Sequence, residues 1–181
     1  MSHGIIGFDA YEGLFTKAQF NAGKGRSPGT VVTVRKSGDS KEFVAVKLAS
    51  GNWSNGCLVR IDSAGVVGAA TTVGTTASAG GVANIGQRLG LLVFSTVSAI
   101  QTMAGTAYGY AQVFGQAGAQ VVSATVAGMA LGIGGSAGIL SGQVVQASAT
   151  GAIGGIHVIA TASTQAFSSV FLNYPEFVGG S

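Results

Sequence analysis

Short apolar runs alternate with glycine-rich breaks along this chain, and the spacing is that of strands. Thr30-Val31-Val32-Thr33-Val34-Arg35 is β-branched, and Glu42-Phe43-Val44-Ala45-Val46-Lys47-Leu48 is an alternating run that answers it. Between them, residues 36–41 contain Ser37-Gly38-Asp39-Ser40, which predicts a hairpin turn. Asn55-Gly56 is a strong turn dipeptide. Residues 57–62 and 66–72 predict another strand pair around Ser63-Ala64-Gly65. Later strands are predicted at 89–98, 108–114, 119–125, 129–133, 143–147, 156–161 and 170–173, with a glycine- and alanine-rich linker at 75–84. Helices are disfavoured there, because glycine recurs every few residues and each one costs a helix interior about 1 kcal/mol. Many short strands at regular turn spacing predict an all-β fold, sandwich or barrel-like.

The organisation read from these runs is an extended N-terminal arm at 1–27, a first β unit at 28–88 and a second at 89–181. The arm carries Phe8, Tyr11, Leu14, Phe15 and Phe20 in a stretch that otherwise reads as loop. Those side chains need cover, either from a partner or from the arm's own domain. In the first case, removing residues 1–27 leaves the fold intact. A faint internal repeat suggests that the two β units are related. Gly56-Cys57-Leu58-Val59-Arg60-Ile61 resembles Gly128-Met129-Ala130-Leu131-Gly132-Ile133, and Gly90-Leu91-Leu92-Val93 resembles Gly155-Ile156-His157-Val158.

Composition sharpens the picture. The 181 residues include 31 Gly and only 2 Pro, without a Gly-X-Y period, which excludes collagen. Charged residues make up 8%, whereas a soluble domain carries about a quarter. From residue 89 to residue 175 there is no Asp, Glu, Lys or Arg, and His157 is the one group there that titrates near neutrality. Neutrality on this scale predicts a segment in a membrane or one covered by other protein. No run reaches the roughly 18 apolar residues of a membrane helix, and the N-terminus has no signal-peptide pattern. A membrane β-barrel would need aromatic girdles and charged loops. The expectation is therefore a non-membrane protein made in a reducing cytoplasm. All nine basic residues fall between Lys17 and Arg88, but they are interleaved with Asp39, Glu42 and Asp62 and lack a stacking platform, so no nucleic-acid partner is expected.

Catalytic chemistry has little to work with. Two His, one Cys and six carboxylates are scattered singly, without metal-ligand spacing or a nucleophile-base pattern. The expectation is that there are no catalytic, cofactor-binding or metal-binding residues and that the protein is not an enzyme. Cys57, in a strand-like run, reads as a small buried apolar residue. His157 reads as a structural strand histidine. The segment Gly132-Ile133-Gly134-Gly135-Ser136-Ala137-Gly138 lacks the helix and the distant acid of a dinucleotide fingerprint. Trp53, in the turn region, could anchor an interface or cap the core equally well.

One resemblance runs through residues 55 to 175. The order Asn84-Ile85-Gly86-Gln87-Arg88-Leu89-Gly90, then Tyr108-Gly109-Tyr110-Ala111-Gln112-Val113-Phe114-Gly115, then Ala137-Gly138-Ile139-Leu140 and Val170-Phe171-Leu172-Asn173-Tyr174-Pro175, resembles the capsid decoration or cement proteins of tailed bacteriophages. This resemblance implies a β-rich structural protein of the virion exterior, often a homotrimer. Its partner would be the major capsid protein, it would stabilise the capsid by bridging neighbouring capsomers, and it would need no cofactor. The competing expectation is a fibre, spike or tail component of similar composition that self-associates without a capsid.

Overall fold

A computed structural model describes residues 13–36, 39–69, 88–94, 100–121, 125–129, 131–133, 144–146, 153–160 and 167–177. Its strands are β1 (Phe15–Thr16), β2 (Val31–Lys36), β3 (Asp39–Leu48), β4 (Gly51–Ser54), β5 (Leu58–Ile61), β6 (Val67–Ala69) and β7 (Arg88–Val93). They continue as β8 (Ile100–Met103), β9 (Ala107–Gln120), β10 (Leu131–Ile133), β11 (Val144–Gln146), β12 (Ile153–Val158) and β13 (Phe167–Phe177), with one short helix, α1 (Lys17–Asn21). The fold is all-β. The main sheet runs β2-β3-β9-β13-β7-β5-β6, with β1 added to β9 and β12 added to β13. β10-β11 and β4-β8 form two small pairs of their own.

Five of these strands close on themselves. β3 pairs with β9, β9 with β7, β7 with β5 and β5 with β6, all antiparallel. A parallel bridge from Lys47 to Val66 then returns the end of β6 to β3, with the Lys47 amide donating to the Gly65 carbonyl at 2.9 Å. Closure of this kind removes exposed strand edges. The period-2 alternation of the strands fills the interior: Val44, Val46 and Leu48 from β3, Val59 and Ile61 from β5, Leu92 from β7, and Ala111 and Val113 from β9 form one buried cluster. A Cβ at Gly90 would press on the Ala111 Cβ and the Ile61 Cδ1, each at 3.1 Å, so the lining is small where the walls approach.

Leu14 plugs one end of this barrel. It is buried in the same cluster, directly over Gly109, where a Cβ would come within 2.5 Å of the Leu14 Cδ2. Phe15 turns the other way. It packs with Phe43, Ala45, Val93, Tyr108 and Tyr110 on the outside of the barrel, and Phe20 stacks on Tyr108 with ring centroids 4.1 Å apart. Thr16 caps α1 in a capping box with Gln19. The described part of the arm thus covers its aromatics on its own domain. Leu14 and Phe15 fill opposite faces of the sheet, so removal of residues 1–27 is expected to destabilise the fold, which thermal unfolding of the truncated chain would measure.

A second layer packs on the barrel's outer wall. Val170 and Leu172 of β13, Ile153, Ile156 and Val158 of β12, and Leu131 of β10 bury against Leu58, Leu89 and Leu91 of β5 and β7. Strands from both sides of residue 88 share the main sheet, and that position lies inside β7. The two repeated segments have different surroundings: β5 lies in the main sheet, whereas β10 pairs with β11.

The predicted strand 108–114 and the first two residues of the predicted strand 119–125 belong to one strand. β9 runs for 14 residues; its register on β3 shifts between Gln112 and Phe114, and Gly115, just beyond that bulge, adopts φ +91 and lets the strand continue. The side-chain amide of Gln112, buried, spans the bulge by donating to the carbonyls of Phe114 (3.0 Å) and Gln116 (2.9 Å). β13 is also longer than the predicted 170–173, because it pairs with β9, β12 and β7 in turn. The Asn55-Gly56 turn forms, but it joins strands of different sheets instead of making a hairpin. The Asn55 Oδ1 accepts from the Phe94 amide (3.0 Å), and the Gly56 amide donates to the Leu92 carbonyl (2.7 Å).

Candidate functional site

Strand alternation sorts the second layer into two faces. On β13, Ser168, Val170 and Leu172 point into the core, while Phe167 and Phe171 are exposed and Ser169 is half-buried between them. Register extends the pattern sideways. His157 lies across from Phe171, and Gln116 of β9 lies across from it on the other side. The Ile159 amide donates to the Ser169 carbonyl (3.0 Å), which places Ile159 beside Ser169. The outward face of β9-β13-β12 therefore presents Gln116, His157, Ile159, Phe167, Ser169 and Phe171. None of these carries a charge at neutral pH except through protonation of His157. Phe171 and Phe167 are 37% and 44% exposed, and Ile159 is 45% exposed.

The rings are held in place. Phe114 meets Phe171 edge-on at 5.6 Å and Tyr174 at 5.4 Å. Tyr174 takes φ 47, the one positive φ outside glycine among the described residues, and its hydroxyl donates to the Glu42 carboxylate at 2.8 Å. Accepting that bond, Glu42 favours the neutral phenol and pushes the Tyr174 pKa up. The Thr33 hydroxyl reaches the other oxygen of the same carboxylate at 3.5 Å. This chain of contacts ties β13 to the β2-β3 hairpin.

An open groove of about 660 Å³ runs beside the face, lined by Lys41, Asn55, Gln112, Gln116, Phe167 and Ser169 among others. Its Lys41 side marks the start of the charged part of the molecule. Arg35 of β2 and Asp39, Lys41 and Glu42 of β3 lie toward that edge of the sheet, Arg60 and Asp62 lie toward the β5-β6 edge, and Lys17 opens α1, which packs on β1 and β9. The β12-β13 branch between them is without charge until Glu176, which pairs with Gly154 and Arg88 at its far end.

The residues singled out from the sequence fall in different places. Cys57 is buried in the barrel cluster, as expected, and loss of hydration pushes its thiol from 9.0 up to about 12. The thiolate fraction at pH 8 is then lower by about 10³-fold than for an ordinary thiol of that pKa. Native protein should react with a thiol reagent at pH 8 only as fast as it opens, and at once in denaturant; fast stoichiometric labelling of the folded chain would contradict the buried site. The unfolded chain ionises this thiol first, so its contribution to stability is complete below about pH 9 and is lost as pH rises towards 12.

Trp53 caps the barrel: it packs with Met103 against the interior cluster, and its indole N–H donates to the Ala49 carbonyl at 3.1 Å. His157 is exposed, not buried in the strand layer. Of the glycine-rich 132–138 segment, only Gly132 and Ile133 are described, paired with Val145 and Val144 in β10-β11. Among the described residues, no group of three His, Cys, Asp or Glu side chains is placed to hold a metal ion, and no helix is long and apolar enough to cross a membrane. The chain matches no protein-family model and no curated protein. Sequence reasoning found the uncharged half of the chain but missed the face itself, because cross-strand register, which brings Gln116, Phe171 and His157 into line, is not written in any local run.

Proposed function

We propose that the protein is a structural subunit of a virion, a cement protein that binds the outer surface of a phage capsid and bridges neighbouring capsomers. The observation that carries this reading is the two-sided distribution of charge. Charge lies toward the edges of the sheet, mostly basic on the β2-β3 side, while the β12-β13 branch before Glu176 exposes aromatic, aliphatic and amide side chains with no charge among them. A bridging subunit needs two kinds of contact, one to the shell and one to its neighbours. The cores of protein interfaces are depleted in charge and enriched in aromatics, which is the chemistry of the uncharged face. Exposed apolar groups gathered on one face mark interaction surfaces more often than solvent-facing ones.

In this reading the partners are the major capsid protein and further copies of the chain, with a trimer as the favoured assembly and the capsid exterior as its place. Electron microscopy of the purified protein mixed with preformed empty shells tests it. Added density at fixed positions on the shell exterior is expected. Elongated particles of the protein alone, with bare shells beside them, would instead favour a fibre or tail component and overturn the cement reading.

A further inference from the structure

We propose that Asn55-Gly56 is a self-modification site that the fold holds shut, so that a chain which opens there converts Asn55 to isoaspartate and does not refold. It is the one Asn-Gly pair in the 181 residues. In an open chain the main-chain nitrogen of a glycine has no Cβ beside it and can reach the side chain before it. The Gly56 nitrogen attacks the Asn55 Cγ. The N–Cγ bond forms, the Cγ–Nδ2 bond breaks, and the proton of the Gly56 N–H leaves with the amide nitrogen as ammonia. Water then opens the cyclic imide at either carbonyl. Attack at Cγ gives aspartate on an unchanged main chain. Attack at the main-chain carbonyl carbon leaves the chain running through Cγ, with a free α-carboxylate, which is isoaspartate. Water is the only co-reactant, and nothing is oxidised or reduced.

In the folded chain both reacting groups are held by the end of β7. The Gly56 amide donates to the Leu92 carbonyl at 2.7 Å, and the Asn55 Oδ1 accepts from the Phe94 amide at 3.0 Å. Cyclisation requires the nitrogen to give up the proton it shares with Leu92 and the Asn55 side chain to turn away from Phe94. The turn has no room for that movement. Gly56 is buried with φ +72, and a Cβ on it would lie 2.6 Å from the Gly118 carbonyl oxygen. The Gln120 amide donates to the Gly56 carbonyl at 2.8 Å, and the Leu92 amide to the Cys57 carbonyl at 2.9 Å, so β9 and β7 both hold it. Isoaspartate adds one carbon to the main chain between these bonds, about 1.5 Å of extra length. The bonds to Leu92 and Gln120 cannot both keep register, and a buried group that loses its partner is costly. Aspartate keeps the length and can accept from Phe94 as the amide does. Lys41, which lines the same groove as Asn55, complements its charge. The two products of one imide therefore have opposite fates.

Incubation of the full chain at pH 8 under reducing conditions, in buffer and in urea above its unfolding midpoint, tests both parts. Peptides spanning position 55 are separated and scored for asparagine, aspartate and isoaspartate. Conversion is expected to be at least about 100-fold slower in buffer, because it waits for opening against part of the folding free energy. At intermediate urea the rate should follow the unfolded fraction. Conversion in buffer as fast as in urea overturns the closed site. Chains converted in urea are then returned to buffer and divided by size exclusion into folded and unfolded material. Aspartate at position 55 is expected in the folded fraction alongside asparagine, with isoaspartate enriched at least about tenfold in the unfolded one. Isoaspartyl chains that refold in the same proportion as unmodified chains overturn the second part. Asn55→Asp isolates the effect of charge and is expected to keep a urea midpoint close to the wild type. An Asn55→Asp chain that does not fold would overturn the assignment of the loss to main-chain length.

Discussion

Truncating Leu14 and Phe15 together to alanine is expected to lower the unfolding free energy by about 5 kcal/mol or more, as two large core deletions do. Leu14 fills the end of the barrel over Gly109, and Phe15 fills the cluster on the opposite face of the sheet. The two residues are adjacent and serve different cores, so neither vacancy can be closed by movement of the other. Domains of ordinary stability have about 5–15 kcal/mol in total, so the double variant sits near the threshold of folding. Urea unfolding, followed by the midpoint at constant slope, measures it. A double variant with the wild-type midpoint would show that this segment packs on something other than its own domain.

Gly115→Ala is expected to cost about 3 kcal/mol or more, from strain and overlap combined. Its φ of +91 belongs to the region side chains avoid, and a Cβ there would come within 2.5 Å of the Ser40 carbonyl oxygen. That oxygen is backbone in a paired strand, so it cannot give way as a side-chain tip can. Gly128 is the control. Its φ of +82 is equally unfavourable, but nothing lies within 4 Å of its absent Cβ. Gly128→Ala should therefore cost only about 1 kcal/mol. Equal losses at the two sites would mean that the β3-β9 approach at the bulge is looser than described.

How much of this was legible beforehand depends on the range of the interaction. The strand character of Thr30-Val31-Val32-Thr33-Val34-Arg35 and the Ser63-Ala64-Gly65 turn follow from local chemistry, and both appear: β2 covers residues 31–36, and the Asp62 Oδ1 holds the turn by accepting from the Ala64 (2.9 Å) and Val66 (2.8 Å) amides. The predicted strand stopped at residue 114, before Gly115, and a glycine that ends a strand and one that a strand runs through are locally identical. Only the Ser40 carbonyl across the sheet distinguishes them. The arm's aromatics were visible, but their destination was not, since Phe20 meets Tyr108 across almost half the chain's length. The absence of charge was the clearest signal and had two causes. Residues 89–94 and 107–113 are buried within this one chain on both faces of the sheet, which accounts for their neutrality without any partner. The outward face around Phe171 has no such cover within the described residues, and it is there that the expectation of a covering neighbour applies.

The reading of the protein as a cement subunit rests on its meeting a shell. Co-sedimentation with preformed empty shells of the major capsid protein proposed as its partner, titrated to saturation, tests that most directly. The account predicts saturable pelleting at a fixed ratio of chain to capsid protein, together with shells that survive heating better when coated. Protein that stays in the supernatant at every concentration, beside shells that melt unchanged, would contradict it.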